Sequence, residues 1–496
     1  MGIVKNQAYK NTAISYLGIV IGYVNLVLLY PAYLTTEQIG LFQLLIGMSM
    51  LYSLVGAFGI PSIVARYFPF YRTDDKMHHS FLHWVAIFSL IGFIVSTLLF
   101  FIFKDIIIAN YISKSPLFVR YYNFLIPLTF FTVFFNILES FGKAIYQTVY
   151  SGFLREVLLR ILTTVAIYFL SLGFINFTEF IIVYIFIYGI VSLLMFIKLA
   201  MAGKFSLRFN KLEFLTIKNK EIVVYGFYML LGGAVYVLLQ KIDIIMLGSM
   251  VGLSMVGVYS TFFNIAAVIT VPAKALNRIT YQIIADSWKE NNTNHIASIY
   301  SKTSIIQMIS GCLVFIGLLI NRDNLLLLIN KKEFTEQFNL LVIIGLSFLI
   351  DITGGLNAYI IGSSHKFRLI TALVFCFSIF CIVLNCFLIP LYGGMGAALS
   401  FLITTTLYNF CTWFYIKYRF KMQPFSFKHI LIIVASLVCY FIGNSIWNFP
   451  NIYLDIIFRS VITTFCFVII IYYLQISLDL NEKIKNYLLK LHIIKS

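Results

Sequence analysis

Apolar runs of about twenty residues recur from Asn11 to Ile476, and they constrain the fold more than any other feature of the sequence. A helix rises about 1.5 Å per residue, so each run is long enough to cross a hydrocarbon core of about 30 Å. The chain is 61% hydrophobic and 11% charged, whereas soluble domains are roughly 45 to 50% apolar and about 25% charged. The sequence therefore predicts an all-α polytopic membrane protein.

These runs predict about fourteen transmembrane helices, which we number α1 to α14 along the chain. Helices α1 to α6 form an N-lobe at 1–200, and α7 to α12 form a second six-helix lobe, the C-lobe, at 221–420. A cytoplasmic connector at 201–220 joins them, α13 and α14 form a pair at 421–476, and 477–496 is predicted as an amphipathic cytoplasmic tail. The predicted helices span 10–33, 38–60, 79–103, 118–145, 153–175, 177–199, 221–248, 252–272, 298–321, 336–361, 368–390, 392–417, 428–449 and 453–476.

Positive charges are distributed unevenly over the loops between these helices. With the N-terminus placed in the cytoplasm, 28 of the 36 Lys and Arg residues fall at cytoplasmic loops and helix ends. Six fall outside, and two, Lys241 and Arg459, lie within spans. Cytoplasmic loops of membrane proteins carry such an excess, so both termini are predicted to be cytoplasmic. The same bias explains the net charge of +17 without a nucleic-acid partner.

A short internal repeat relates the two lobes. Residues 34–42 (LTTEQIGLF), which lead into α2, resemble residues 251–259 (VGLSMVGVY), which lead into α8. The match pairs Gly40 with Gly257, each followed by an aromatic residue two positions later. Six helices separate the matched points, so the lobes have the same orientation and are predicted to be related by an axis along the membrane normal.

Three motifs in this frame resemble a known family. Residues 33–45 (YLTTEQIGLFQLL) are similar to its L-T-P-E-E-Y-G-L-Y entry to the second helix. Residues 241–248 (KIDIIMLG) with 256–260 (VGVYS) are similar to D-x-x-M-L-G followed by V-G-x-Y-S. Residues 385–400 (NCFLIPLYGGMGAALS) are similar to N-x-x-L-I-P-x-Y-G-x-x-G-A-A. The chain thus resembles the polysaccharide-unit (O-antigen, Wzx-type) flippases of the multidrug/oligosaccharidyl-lipid/polysaccharide exporter superfamily, over nearly its full length.

The resemblance implies a MATE-like fold and a flippase activity. Members move undecaprenyl-diphosphate-linked oligosaccharide units from the cytoplasmic to the outer leaflet for surface polysaccharide, such as lipopolysaccharide, and they are not enzymes. It also implies the bacterial cytoplasmic (inner) membrane, contact with membrane lipids and with a polysaccharide polymerase as a partner, and action as a monomer. No cofactor is expected, and a coupling ion, Na+ or H+, is left open.

A path for an anionic headgroup through hydrocarbon needs cationic side chains, because an uncompensated buried charge is costly. The predicted substrate-binding residues are Arg66 at the inner end of α2, Lys241 within α7, and Lys274 and Arg278 at the inner end of α8. Arg66, Lys274 and Arg278 are equally explained as topology anchors that reach the cytoplasmic interface. Lys241 lies deeper, so it requires an internal partner or a hydrated cavity.

Three acidic residues within spans are candidates for ion coupling. Asp351 in α10 has no cation nearby in sequence, and Asp243 lies close to Lys241 in α7. Glu139 in α4 lies one turn before Lys143, so a local ion pair is an alternative role for it. For Asp351 and Asp243 the alternative role is to hold helices together.

Other chemistries have weaker support in the sequence. The seven cysteines form no CxxC pair, the seven histidines fall at predicted cytoplasmic ends where solvent reaches them, and no metal site is predicted. A drug antiporter of the same fold would use an acid in the first lobe, often on its first helix, where this chain has Asn25. A polysaccharide polymerase or glycosyltransferase would need a large outer loop, and the first one here is only residues 35–38.

Overall fold

The described residues of this computed structural model are 2–72, 81–202, 219–477 and 481–482, and their only regular secondary structure is helical. Among them, ten helices are long and apolar enough to cross a membrane, or eleven if a bent pair counts as one span. The all-α, multi-pass prediction is confirmed, and the count of fourteen is compatible with this result. Most of the predicted connector (201–220) and tail (477–496) lies outside the described residues.

Contacts divide the chain into two compact units. The first comprises Met1–Thr261 and Ile389–Gly394, and the second comprises Phe262–Leu388 and Met395–Ser496. Helix α7 packs along α2 in the first unit, whereas the sequence prediction assigns α7 to the C-lobe. The lobe boundaries stay a prediction.

The helical segments of the first seven helices are Gly2–Tyr23, Val24–Leu29 and Tyr30–Tyr33 (α1), Thr36–Ala57 and Ile60–Tyr71 (α2), Phe81–Ile102 (α3), Pro116–Tyr121, Tyr122–Phe124 and Leu125–Ala144 (α4), Thr148–Phe153, Leu154–Leu158 and Leu159–Ser171 (α5), Phe177–Met201 (α6) and Asn219–Met250 (α7).

The remaining seven predicted helices are also helical in the structure. Their segments are Leu253–Ala266, Ala267–Thr270 and Val271–Lys289 (α8), Thr293–Ile320 (α9), Asn339–Gly354 and Asn357–Ser363 (α10), Phe367–Tyr392 (α11), Gly394–Tyr415 and Ile416–Phe420 (α12), Phe427–Asn444 (α13) and Ile452–Tyr473 (α14). Short helices at Lys104–Tyr111, Arg322–Ile329 and Lys332–Glu336 lie in the connections. Helix α8 continues well beyond its predicted end at residue 272, because Pro272 occupies the first turn of a helical segment, where proline is tolerated.

Two helices predicted as continuous are broken. In α2, Phe58 and Gly59 adopt left-handed backbone angles (φ 44° and 70°), after which the helix continues to Tyr71. Gly59 also lies so close to α7 that a Cβ there would overlap the carbonyl oxygen of Gly226. In α10, the segments on either side of Gly355 (φ 52°) are bent by 43°. Glycine tolerates these angles without a Cβ clash, so the breaks follow from where glycine lies in the sequence.

The first helix is joined to α5 by polar contacts next to π-helical turns in both helices. Asn25 in the α1 turn is buried, and its amide donates a hydrogen bond to the carbonyl oxygen of Arg160 at 3.1 Å. Thr164 Oγ1 donates to the Asn25 amide oxygen at 2.6 Å. The buried Asn25 side chain of α1 is therefore held by protein partners within the first unit.

The repeat glycines Gly40 and Gly257 meet each other at the crossing of α2 and α8. A Cβ on Gly40 would overlap the carbonyl oxygen of Leu253, and a Cβ on Gly257 would overlap that of Thr36. Each overlapped residue lies four positions before the opposite glycine, so the contact is reciprocal. Ser254 Oγ donates to Thr36 Oγ1 at 3.0 Å in the same crossing. The internal repeat thus produces a locally two-fold helix contact of the small-residue kind used in membranes.

Replacing Gly257 with alanine is expected to destabilise the protein, since the added methyl meets backbone, which cannot rotate away. Thermal unfolding of detergent-purified protein should show a clearly lower Tm, together with a smaller monodisperse fraction. Gly317→Ala is the matched control, because Gly317 is also helical but has no atom within 4 Å of its Cβ position. Equal Tm values for the two variants would show that the crossing is not tight.

A buried ion pair lies in the second unit, where the turn between α13 and α14 meets Asn324. The Arg459 Nε atom is 2.7 Å from Asp455 Oδ2, and both residues are buried. The guanidinium also donates to the carbonyl oxygens of Gly443 and Ile446, at 3.1 and 2.9 Å. Asn324 donates a hydrogen bond to the Asp455 carboxylate. Both charges are thus satisfied by protein groups, so the pair is structural.

Arg459→Met should lower stability by roughly 3 to 5 kcal/mol, because it leaves the Asp455 carboxylate buried without its cation. The double variant Arg459→Met with Asp455→Leu should recover part of that loss, since it removes both charges. Denaturation of purified protein measures both, with Lys332→Met as an exposed control that should change little. Equal stability of the single and double variants would contradict this role for the pair.

Candidate functional site

A cavity of about 390 Å³ lies in the first unit among α2, α4, α5, α6 and α7. Its volume falls within the range of about 300 to 1,000 Å³ that is usual for ligand sites. Apolar side chains from α2, α4, α5 and α7 form part of its wall. The polar side chains that line it are Ser53, Ser62, Thr132, Asn136, Glu139, Ser140, Lys143, Arg155 and Tyr188. The cavity therefore offers hydroxyl, amide and charged groups inside an otherwise apolar helix bundle.

The Glu139 carboxylate lies between two cations in this cavity. Its Oε1 atom is 3.0 Å from Lys143 Nζ, which is the i, i+4 pair expected from the sequence. Its Oε2 atom is 2.6 Å from an Arg155 guanidinium nitrogen, a contact that the sequence did not predict. Glu139 is buried, while both cations are partly exposed. Two positive charges thus share one carboxylate, which leaves an excess of positive charge in the cavity.

The Arg155 guanidinium has hydrogen-bonding capacity left over. The nitrogen that contacts Glu139 also donates to the side-chain oxygen of Asn136. The guanidinium lies over the Phe135 ring, 4.9 Å from its centroid, and its buried Nε atom has no hydrogen-bond partner among the described residues. A planar donor of this kind recognises carboxylate and phosphate oxygens well.

The backbone of α5 explains how Arg155 reaches Glu139. Helix α5 begins at Thr148, five residues before its predicted start at residue 153. Arg155 lies in its π-helical turn, Leu154–Leu158. A π turn changes the direction of the side chains that it carries, and such turns often mark functional sites. In the sequence Arg155 looks like its neighbour Arg160, because both lie where positive charges fix topology. Only the coordinates distinguish the two.

The other predicted site residues of the first unit lie apart from this cavity. The Arg66 side chain is exposed, with its guanidinium 4.5 Å from the centroid of the Tyr225 ring. Lys241 is half-buried, and its aliphatic stem lies beside Gly47. Asp243 is buried and accepts a hydrogen bond from the Tyr259 hydroxyl at 2.8 Å. None of Arg66, Lys241 and Asp243 is among the described residues that line the cavity.

In the second unit, Asp351 and Lys274, which the sequence assigned to different roles, interact electrostatically without an ion pair among the described residues. The Asp351 carboxylate accepts a hydrogen bond from the Asn409 amide at 3.2 Å. Lys274 of α8 is near enough to interact electrostatically with the same carboxylate. Arg278 follows one turn later on α8 and is exposed. Asp351, which has no cation nearby in sequence, therefore has one in space.

Asp351 lies one turn before the break in α10, where further oxygen atoms converge. A Cβ on Gly355 would approach the side-chain oxygen of Gln307. That oxygen is buried and has no hydrogen-bond partner among the described residues, while the Gln307 amide nitrogen donates to Asn277 at 2.6 Å. The carboxyl end of a helical segment carries partial negative charge. These acceptors make the break a place that favours a positive charge.

One expectation about the histidines is wrong. His429 was expected to be solvated, but it is buried. Its Nε2 atom lies 3.0 Å from Ser304 Oγ, and its Nδ1 atom accepts a hydrogen bond from the Ser426 backbone at 3.2 Å. His429 and Ser426 form a capping box at the start of α13, so the His429 ring is hydrogen-bonded to protein groups. Among the described residues, no group of three or more His, Cys, Asp and Glu side chains is arranged to hold a metal ion.

Comparisons with known proteins agree with this architecture. The family described as "Polysaccharide biosynthesis protein" matches residues 4–277, and no curated protein matches the chain. Lipid II flippase MurJ in an inward closed conformation has a TM-score of 0.75 at 15% identity, over 94% of this chain and 99% of that one. An inward-facing multidrug resistance MATE family transporter of the MOP superfamily has a TM-score of 0.62 at 16% identity, over 84% of this chain and 98% of that one. These likenesses confirm the MATE-like fold expected from the sequence.

Proposed function

Because the chain belongs to the polysaccharide biosynthesis protein family, we propose that it is a flippase for undecaprenyl-diphosphate-linked oligosaccharides. It would move these units from the cytoplasmic to the outer leaflet for surface polysaccharide assembly. The fold, shared with a lipid II flippase and a MATE transporter, supports a transport role rather than an enzymatic one. The observation that carries the proposal is the surplus of positive charge beside Glu139 in the cavity of the first unit.

The cavity lowers the barrier for a diphosphate in the following way. An isolated anion in hydrocarbon is strongly unfavourable, and paired charges with hydrogen bonds remove most of that penalty. Glu139 serves as the counterion of Arg155 and Lys143. An entering phosphate competes with Glu139 for both cations, and the free Nε donor of Arg155 adds a hydrogen bond that the carboxylate does not use. The hydroxyl groups of the lining suit the sugar.

The membrane potential supplies a driving force that requires no nucleotide. Moving one elementary charge across the membrane is worth about 2.3 kcal/mol per 100 mV. A negatively charged headgroup that leaves a negative interior gains this free energy. We propose Na+ or H+ as a further coupling ion, bound at Asp351 near Asn409, where its charge would oppose that of Lys274. Asp243 and Glu139 then hold Tyr259 and Arg155 in place.

The predicted cations outside the cavity fit the same pathway. We propose that Arg66, Lys241, Lys274 and Arg278 contact the headgroup as it enters and leaves. We propose that the protein lies in the bacterial cytoplasmic membrane and that both of its termini are in the cytoplasm. The lobes at 1–200 and 221–420 would alternate access around the path, with α13 and α14 (421–476) beside them. The protein would act as a monomer and pass its product to a polysaccharide polymerase.

A drug antiporter function has less support. Such transporters use an acidic residue in the first lobe, often on the first helix, where this chain has only Asn25, and the Asn25 side chain is already engaged by α5. A membrane-embedded polymerase or glycosyltransferase has support neither from the fold relatives, which are named as a flippase and a transporter, nor from the short first outer connection between Tyr33 and Thr36.

Arg155→Gln should lower surface glycan in cells by at least tenfold. The cavity loses its main hydrogen-bond donor to phosphate, while Glu139 keeps its ion pair with Lys143. The measurement is surface glycan per membrane-inserted protein, in a strain that lacks the native gene. Arg120→Gln is the matched control, since Arg120 is an exposed arginine of the same unit that rests on Tyr121. If both variants export glycan at the wild-type rate, Arg155 does not bind the substrate.

Asp351→Asn should remove the dependence of export on an ion gradient while leaving the protein folded, because the amide can still pair with Asn409. Export by inverted vesicles is measured with the Na+ and H+ gradients imposed in turn. Ser347→Ala, one turn earlier on α10, is the control, since the Ser347 hydroxyl donates to the carbonyl oxygen of Ile343 in its own helix. An unchanged gradient dependence in Asp351→Asn would contradict the coupling role.

A further inference from the structure

A groove of about 450 Å³ runs between α11 and α12 in the second unit. Leu369 and Leu373 of α11 form one wall. The other wall is an aromatic ladder on α12, in which Phe410, Phe414 and Tyr418 follow one another at intervals of four residues. Successive ring centroids along this ladder are 6.0 and 4.4 Å apart. We call this feature the α11–α12 groove.

The groove is open and strongly apolar along most of its length. Phe410, Phe414 and Tyr418 are 52%, 46% and 69% exposed, although they are large and hydrophobic. The outward residues Phe375 and Ile379 of α11 are exposed as well. In a multi-pass membrane protein such surfaces contact acyl chains, and a concave one holds a single chain better than a convex one.

One cation, Arg419, lines one end of the groove, and other basic residues lie close to it in sequence. Lys417, two residues before Arg419, lies over the Trp413 ring, 5.0 Å from its centroid. Lys421 follows at φ 56°, where the π-helical turn of α12 ends. Leu369, at the same end of the groove, comes directly after Arg368. Within the described ranges, no ion pair joins any of these four cations to a carboxylate.

This combination matches the two parts of an anionic lipid. Tyr and Trp next to Lys and Arg mark the level of the headgroups, and basic pockets between transmembrane helices bind anionic headgroups there. The aromatic ladder extends from that level along the helix, as an acyl chain does. A zwitterionic lipid would gain the apolar contact but little from the charge of Arg419.

We propose that the α11–α12 groove binds an anionic glycerophospholipid, such as phosphatidylglycerol, with its phosphate at Arg419 and one acyl chain along Phe414 and Phe410. The lipid fills the surface between the two helices and stabilises α12 beside the broken helix α10, to which Asn409 connects it. This site is separate from the transport cavity, so it stands whether or not the protein moves lipid-linked sugars.

Native mass spectrometry of the purified full chain, titrated with phosphatidylglycerol or phosphatidylethanolamine, tests the site. The wild type should retain phosphatidylglycerol preferentially. Arg419→Gln should weaken that binding roughly fivefold, the effect of one cation at an anionic membrane surface, and should leave phosphatidylethanolamine unchanged. Phe414→Ala should weaken both lipids, because it removes the apolar wall.

Arg322→Gln is the matched control, since Arg322 is an exposed arginine of the same unit that also rests on an aromatic ring, Phe338. It should bind both lipids as the wild type does. Equal phosphatidylglycerol binding by Arg419→Gln and wild type would overturn the proposal. So would a groove that binds undecaprenyl phosphate more tightly than phosphatidylglycerol with the same Arg419 dependence, because the occupant would then be the substrate lipid.

Discussion

A charge inside a hydrocarbon layer must be compensated by the protein, and this constraint organises the structure. Asp455 and Arg459 satisfy it fully, since backbone carbonyls and an asparagine complete the pair. Glu139 satisfies it with two cations, so that positive charge is left over beside a cavity. The first arrangement has no capacity for a ligand, whereas the second does. A charge that is fully compensated by protein groups indicates a structural role. A surplus of positive charge beside a cavity indicates a candidate binding site.

Irregular helix geometry places the charges that remain available. The π turn of α5 carries Arg155 toward α4, and the break of α10 lies one turn after Asp351. A regular helix satisfies all of its own backbone groups and directs its side chains at fixed intervals. Departures from that regularity open polar positions within an apolar bundle, and they are tolerated in membranes where the protein itself lines a cavity. The glycines at the breaks of α2 and α10 provide this freedom at small steric cost.

The fold was largely readable from the sequence, while the site was not. Apolar runs located the helices because the length of a span is fixed by the bilayer. The repeat singled out Gly40 and Gly257, which the structure shows in reciprocal contact, while the relation of the two lobes stays a prediction. The Glu139–Lys143 pair was readable because both lie on one helix. The ion pair of Glu139 with Arg155, and the electrostatic interaction of Asp351 with Lys274, involve residues on different helices. Periodicity carries no information about which faces meet, so such contacts could not be derived.

The most direct test of the central claim is translocation of an undecaprenyl-diphosphate-linked oligosaccharide by purified protein in sealed vesicles. The lipid is supplied in one leaflet, and its appearance in the other is followed with a sugar-binding protein that cannot cross the membrane. An interior-negative potential should accelerate transfer toward the positive side, and transfer should depend on Arg155. Transfer that is absent, or that proceeds equally without Arg155, would contradict the claim that the cationic cavity carries the headgroup.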